Sequence, residues 1–205
     1  MNLAEVFARA LASPSLDPSR FQGEPLASVG AATFDLIAVG KAAAPMTDGL
    51  LAAEGAHLAR AVVILPDGAP SPGADSRVTV LRAVHPLPDA RSGAAGEAAL
   101  ALAREGRGDI LRVLVSGGTS ALAFTPVSGV SLEDGRAVVT ALLSSGADVR
   151  VTNVVRRHLS RFHGGALLRA SPRLVLSTID SDVIDGALHD VGSGPSVPDP
   201  TTLDD

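Results

Sequence analysis

Residues 110–122 read Ile-Leu-Arg-Val-Leu-Val-Ser-Gly-Gly-Thr-Ser-Ala-Leu. A short, nearly continuous apolar run ends at a glycine pair. Such a run is the mark of a strand buried on both faces, as in a parallel sheet. Residues 34–39 (Phe-Asp-Leu-Ile-Ala-Val) repeat the pattern, ending at Gly40-Lys41 ahead of an Ala-rich, helix-prone stretch at 41–57. Outward from these two runs the alternation continues. Residues 61–65 are apolar, and the Pro/Gly-rich stretch 66–73 can be neither helix nor central strand. Residues 78–83 alternate like a strand, and 89–104 read as a helix capped by Asp89 or Ser92. Ser131 with Asp134 opens a further helix that Gly146 can close. Residues 149–159 are helical, 165–170 add a turn or two, 174–179 form another strand, and the chain from Asp180 is loop-like. Strands separated by helices predict an α/β fold: a doubly wound, mainly parallel sheet, Rossmann-like with three α/β/α layers.

Composition narrows the function. Of the 205 residues 46% are hydrophobic, yet the aromatics are five Phe with no Trp or Tyr, so the core is built from Ala, Val, Leu and Ile. There is no cysteine, which excludes disulfides, thiolate metal sites and thiol nucleophiles. A net charge of −5 without stacking aromatics argues against nucleic acid as partner. Met1 to Ala12 carries Glu5 and Arg9 where a signal peptide would be apolar, so it reads as an amphipathic helix. No apolar run approaches the ~20 residues of a membrane span. A soluble, cytoplasmic protein is expected.

In doubly wound sheets ligands bind beyond the carboxyl ends of strands. Ser116-Gly117-Gly118-Thr119-Ser120 follows one such end, and its glycines let backbone N–H groups approach an anion. Lys41 follows another and is the single lysine, the other 16 of the 17 basic residues being Arg. Its compact ammonium suits a moving phosphoryl group. A Walker A loop is excluded, because Asp35 and Ala42 stand where Gly and Ser/Thr are required. No Gly-x-Gly-x-x-Gly fingerprint, Gly-x-Ser-x-Gly elbow or His-x-x-x-His metal spacing occurs. Asp180-Ser181-Asp182-Val183-Ile184-Asp185 reads either as Mg²⁺ carboxylates at a strand end or as a solvated acidic loop. Arg156 and Arg157, beside Asn153 and His158, are of a type that clamps carboxylates bidentately, or simply a solvated helix face.

Seven segments in order resemble one family. They are Val39-Gly40-Lys41-Ala42-Ala43-Ala44-Pro45-Met46, Val84-His85-Pro86-Leu87-Pro88-Asp89 and Val115-Ser116-Gly117-Gly118-Thr119-Ser120-Ala121-Leu122. Leu143-Ser144-Ser145-Gly146-Ala147, Asn153-Val154-Val155-Arg156-Arg157-His158-Leu159-Ser160, Ser181-Asp182-Val183 and Ser193-Gly194-Pro195-Ser196-Val197-Pro198-Asp199 complete the set. Together they look like the first domain of the class II glycerate kinases, the glycerate 2-kinase (DUF4147/MOFRL) family. The resemblance implies ATP-dependent phosphorylation of D-glycerate at its 2-hydroxyl with Mg²⁺. It implies Lys41 as the catalytic cation and 116–120 as the phosphate loop. His85, Asn153 and Arg156 would then bind substrate, and Asp182 and Asp185 the metal. It also implies that residues 1–205 are one domain whose tail, 196–205, leads toward an absent MOFRL domain carrying one wall of the cleft. That domain or a second copy of the chain is the expected partner.

Three positions depart from the family pattern. Thr119 replaces a glycine, which predicts a narrowed anion loop. His163 replaces a lysine, which predicts a charge titrating near neutrality. Asp185-Gly186 exchanges the usual Gly-Asp order and moves one metal carboxylate. Two alternatives remain open: a non-catalytic remnant of a glycerate kinase, and a hydroxypyruvate reductase.

Overall fold

The computed structural model describes residues 32–181 and 187–202. The amphipathic reading of Met1 to Ala12 lies outside them. Five strands form one all-parallel sheet: β1 (Phe34–Val39), β2 (Leu58–Pro66), β3 (Val78–Ala83), β4 (Ile110–Val115) and β5 (Leu174–Ile179). Their order is β3-β2-β1-β4-β5. The connections contain α1 (Ala43–Glu54), α2 (Ala90–Glu105), α3 (Thr119–Leu122), α4 (Leu132–Ser144), α5 (Val149–Leu159) and α6 (Ala166–Ala170). This is the doubly wound α/β architecture the alternation predicts.

Side-chain alternation along the strands sends alternate residues to two separate cores. Leu36, Ala38, Val63, Leu65 and Leu114 pack with Ala43, Met46 and Leu50 of α1 on one face. Ile37, Val39, Ile64, Val113 and Val115 pack with Ala95, Ala99 and Ala103 of α2 and Leu167 of α6 on the other. The alanines let α2 lie close to the sheet, and β1 and β4 are buried along their whole length. Arg112 points into the first core, where it pairs with Glu54 (2.8 Å) and lies over the Phe34 ring.

Both helix-start signals are realised. Asp89 accepts from the Arg91 and Ser92 N–H groups while Ser92 Oγ accepts from the Asp89 N–H, so the two candidate caps form one capping box. Ser131 and Asp134 do the same at α4, and Gly146 (φ 72°) follows its C-terminal end. Three stretches differ from expectation: β2 runs from Leu58 to Pro66, so Pro66 ends a central strand, paired with Ala83, instead of belonging to the loop. The stretch 41–57 yields a helix only from Ala43, because Gly40 and Lys41 form the turn, and it ends in a 3-10 turn at Gly55–His57. Beyond β5, residues Leu188–Ser193 form a kinked 3-10 segment rather than open loop.

Asp35 is fully buried near the start of β1, at the opposite end of the sheet from the glycine loops. It accepts from Gly108 N–H (2.8 Å) and pairs with Arg173, which also donates to the carbonyls of Leu102 and Ala103. A side chain at Gly106 or Gly108 would collide with Asp35 or with the backbone beside it, so both glycines serve this ion pair.

Candidate active site at the sheet switch point

With strand order 3-2-1-4-5, the chain leaves β1 toward one side of the sheet and β4 toward the other. The loops after these neighbouring strands diverge and leave a crevice at their carboxyl ends. Gly40 makes the first turn with φ 126°. A Cβ there would lie 2.1 Å from Ser116 Oγ and 2.6 Å from the Ser116 carbonyl, so only glycine lets the loops meet. They are then laced together. Lys41 N–H donates to the Gly117 carbonyl (2.8 Å), Ser116 N–H to the Val39 carbonyl (3.0 Å) and Ala42 N–H to Ser116 Oγ (3.0 Å). Thr119 Oγ1 donates to the carbonyls of Val39 (2.9 Å) and Ser116 (2.8 Å).

This lacing fixes where Lys41 goes. Its exposed side chain runs along Gly118: a Cβ at Gly118 would sit 3.3 Å from Lys41 Cγ and 3.5 Å from Cε. The same point is 3.3 Å from His85 Cδ2, so residues from behind β1, β3 and β4 share one rim. Among the described residues, Lys41 has no acidic partner, and the Gly117 and Gly118 N–H groups have no protein acceptor. Partial burial, then the charges of Lys41 and Arg156, hold the His85 imidazole below the usual histidine range. Arg156, half-buried on α5, makes no ion pair among the described residues, and burial lowers its pKa. The rim is thus cationic, with carboxylates absent from the groups that act on His85. A shallow groove of about 510 Å³ lined by Ser71, Gly73, Asp75, Val78 and Val80 opens at the β3 edge and shares no residue with it.

Lys41, His85, Gly117, Gly118 and Arg156 therefore converge, whereas other residues singled out in the sequence build the frame. The Ser116 and Thr119 side chains are buried and their hydroxyls hold the loops together. The left-handed residue of the loop is Gly118 (φ 93°), not Thr119, which opens α3 in an ordinary helical conformation. Thr119 therefore strains nothing, and Gly192 leaves the space its side chain fills: a Cβ at 192 would lie 2.5 Å from Thr119 Cβ. The helix behind the loop is four residues long, so it adds little dipole.

Asn153 is buried. Its Nδ2 donates to the Asp190 carbonyl (3.1 Å) and its Oδ1 accepts from Ser193 Oγ (3.2 Å), which is 2.9 Å from Ser120 Oγ. Ser193 heads the last family segment, but sequence reasoning gave it no role. It is the one non-glycine residue with positive φ (60°) among those described, a signal the sequence does not carry. Arg157 is no carboxylate clamp: it is buried and paired with Asp199 (2.9 Å) and Asp190 (3.4 Å). His163 is no neutral-range titrating charge either. It is buried between Phe124 and Phe162, neither ring nitrogen makes an ordinary hydrogen bond, and burial pushes its pKa down to about 3. Asp182 and Asp185 lie outside the described residues. Among those described, no group of three His, Asp or Glu is placed to hold a metal ion, and no helix is long and apolar enough to cross a membrane.

Known proteins share this architecture and sequence. The family described as "Domain of unknown function (DUF4147)" matches residues 4–205. A protein named D-glycerate 2-kinase from Thermotoga maritima is 35% identical over 190 residues, 92% of this chain and 45% of its own length. The crystal structure of a glycerate kinase from that organism superposes with a TM-score of 0.79 at 32% identity, covering 98% of this chain and 48% of that one. A glycerate 2-kinase from Pyrococcus horikoshii is 41% identical over 130 residues, 63% of this chain and 30% of its own. A relative from Agrobacterium vitis, 44% identical over 131 residues (63% of this chain, 30% of its own), is named "Putative hydroxypyruvate reductase". The chain thus spans less than half the length of these relatives. On the match across 4–205, the chain belongs to the DUF4147 family.

Proposed function

We propose that this chain carries the phosphoryl-transfer half of a glycerate 2-kinase, a transferase that moves the γ-phosphoryl group of ATP to the 2-hydroxyl of D-glycerate. The observation that carries the reading is the Lys41 side chain lying along Gly118, without an acidic partner among the described residues, at the strand-order reversal. Phosphoryl transfer asks mainly for positioning and for neutralisation of charge on the moving group. The Gly117 and Gly118 N–H groups receive phosphate oxygens, with the Ser120 hydroxyl beside them. The Lys41 ammonium follows the transferring group, and Arg156 takes the glycerate carboxylate. Ser116, Thr119 and Asn153 keep this loop in shape from behind. Mg²⁺ would neutralise the triphosphate, with Asp182 and Asp185 as its candidate ligands. No described residues form a set that fits the ion, so no step is derived through it. The remaining wall of the cleft comes from a further, MOFRL-type domain or a second copy of the chain, and the reaction takes place in the cytoplasm.

Incubation of the intact protein with ATP and D-glycerate, read by ³¹P NMR, tests the reading. The expected product is 2-phosphoglycerate, and Lys41→Ala lowers kcat by about 10²–10³. Unchanged turnover in Lys41→Ala would remove the basis of the assignment. The name of the Agrobacterium relative favours a second reading, reduction of hydroxypyruvate. Oxidation of NADH on adding hydroxypyruvate, with no phosphorylation of glycerate, would establish it instead.

A further inference from the structure

His85 stands on the rim beside Lys41 and Gly118. Its ring borders Gly118 through Cδ2, 3.3 Å from where a Cβ there would lie, and Nε2 is the ring nitrogen bonded to that carbon. Lys41 lies against the same glycine, so the imidazole flanks the path along which a phosphoryl group would travel. The His85 ring makes no hydrogen bond to a described residue, unlike the hydroxyls of Ser116 and Thr119, both engaged by the frame. It is also exposed to the crevice. Beside the Lys41 ammonium and the Arg156 guanidinium, this ring is the group on the described rim with a nitrogen lone pair free to take a proton.

We infer that His85 is the general base of the transfer, taking the proton of the substrate hydroxyl as that oxygen attacks the γ-phosphorus. The inference rests on the kinase reading. In the step, an O–P bond forms between the hydroxyl oxygen and the γ-phosphorus while the bond from phosphorus to the bridging oxygen breaks. The electron pair leaves with ADP, the proton moves to Nε2, and water later removes it. The surroundings suit a base. Lys41 from the β1–α1 turn and Arg156 from α5 both disfavour the imidazolium, partial burial does so more strongly, and no described carboxylate offsets them. These causes favour the neutral ring, the form that accepts a proton.

The test is the pH dependence of kcat/KM for glycerate phosphorylation by the intact protein. Wild type falls as pH drops through the titration of this ring, held below the usual histidine range by burial and by the charges of Lys41 and Arg156. His85→Gln lowers kcat by about 10², leaves the glycerate KM within about threefold and removes that acid limb. Imidazole added to His85→Ala restores part of the rate. If His85→Gln keeps kcat and the acid limb, or raises KM with kcat unchanged, the base assignment fails while the kinase reading stands. If wild type transfers no phosphoryl group to glycerate, the kinase reading fails and the base with it.

Discussion

A methyl group added at position 40 has nowhere to go, since it would meet Ser116 Oγ at 2.1 Å on a backbone already at φ 126°. Gly40→Ala is therefore expected to destabilise the fold by about 2–4 kcal/mol and to pull Lys41 off Gly118, measurable by urea denaturation alongside kcat. His163 offers the opposite case. Folding excludes its charged form, so the unfolded chain binds a proton first, near pH 6.5, while the folded ring resists to about 3. The associated stability is complete above pH 6.5 and is lost as pH falls toward 3, on the order of 4 kcal/mol in all. His163→Leu should flatten that acid decline in thermal denaturation between pH 7 and 4, and an unchanged decline would place its origin elsewhere. The sequence made Gly40 and Lys41 legible, one by residue type and one by rarity. It misread Thr119 and His163 because a residue's burial and φ are set by partners far along the chain: Gly192 for the first, Phe124 with Phe162 for the second.

β1 and β4 were readable because a parallel sheet covered on both faces demands nearly continuous apolar runs, and β3 through its alternation. The helices α2 and α4 announced their starts through Asp89 and Ser131. Asp89→Ala, which removes the side chain accepting two N–H groups, should cost about 1 kcal/mol of stability in denaturant titration without touching the rim. Neither α3, four residues long, nor the 3-10 segment Leu188–Ser193 carries a periodicity, so both escaped the sequence. That segment is held by contacts rather than by propensity: Arg157 pairs with Asp190 and Asp199, and Asn153 reaches the Asp190 carbonyl and Ser193. Arg157→Ala strands two carboxylates and is expected to cost about 3–5 kcal/mol. Amide exchange should quicken through Gly194 and Val197, whose turns close against this face, before the sheet itself opens.

Strand order is what no local pattern contains. That β1 lies between β2 and β4, and hence that Lys41 and Gly118 meet, follows from crossovers packing on both faces of the sheet. The alternation of elements foretold the class of fold but not this neighbourhood, nor the arrival of Arg156 from a helix remote in sequence. The chain spans under half the length of its relatives, and the proposed cleft takes its remaining wall from a further domain or a second copy. The 205 residues alone should turn over well below the roughly 1–100 s⁻¹ of ordinary kinases in a coupled ADP assay. The most direct measurement is an ATP titration of the ¹⁵N-labelled intact protein, followed at the amides of Gly117 and Gly118. Both resonances should shift and saturate together, and Lys41→Met should weaken the fitted affinity by about tenfold or more. Amides that stay still at saturating ATP, or a Lys41→Met protein that binds like wild type, would contradict a phosphate seat at this rim.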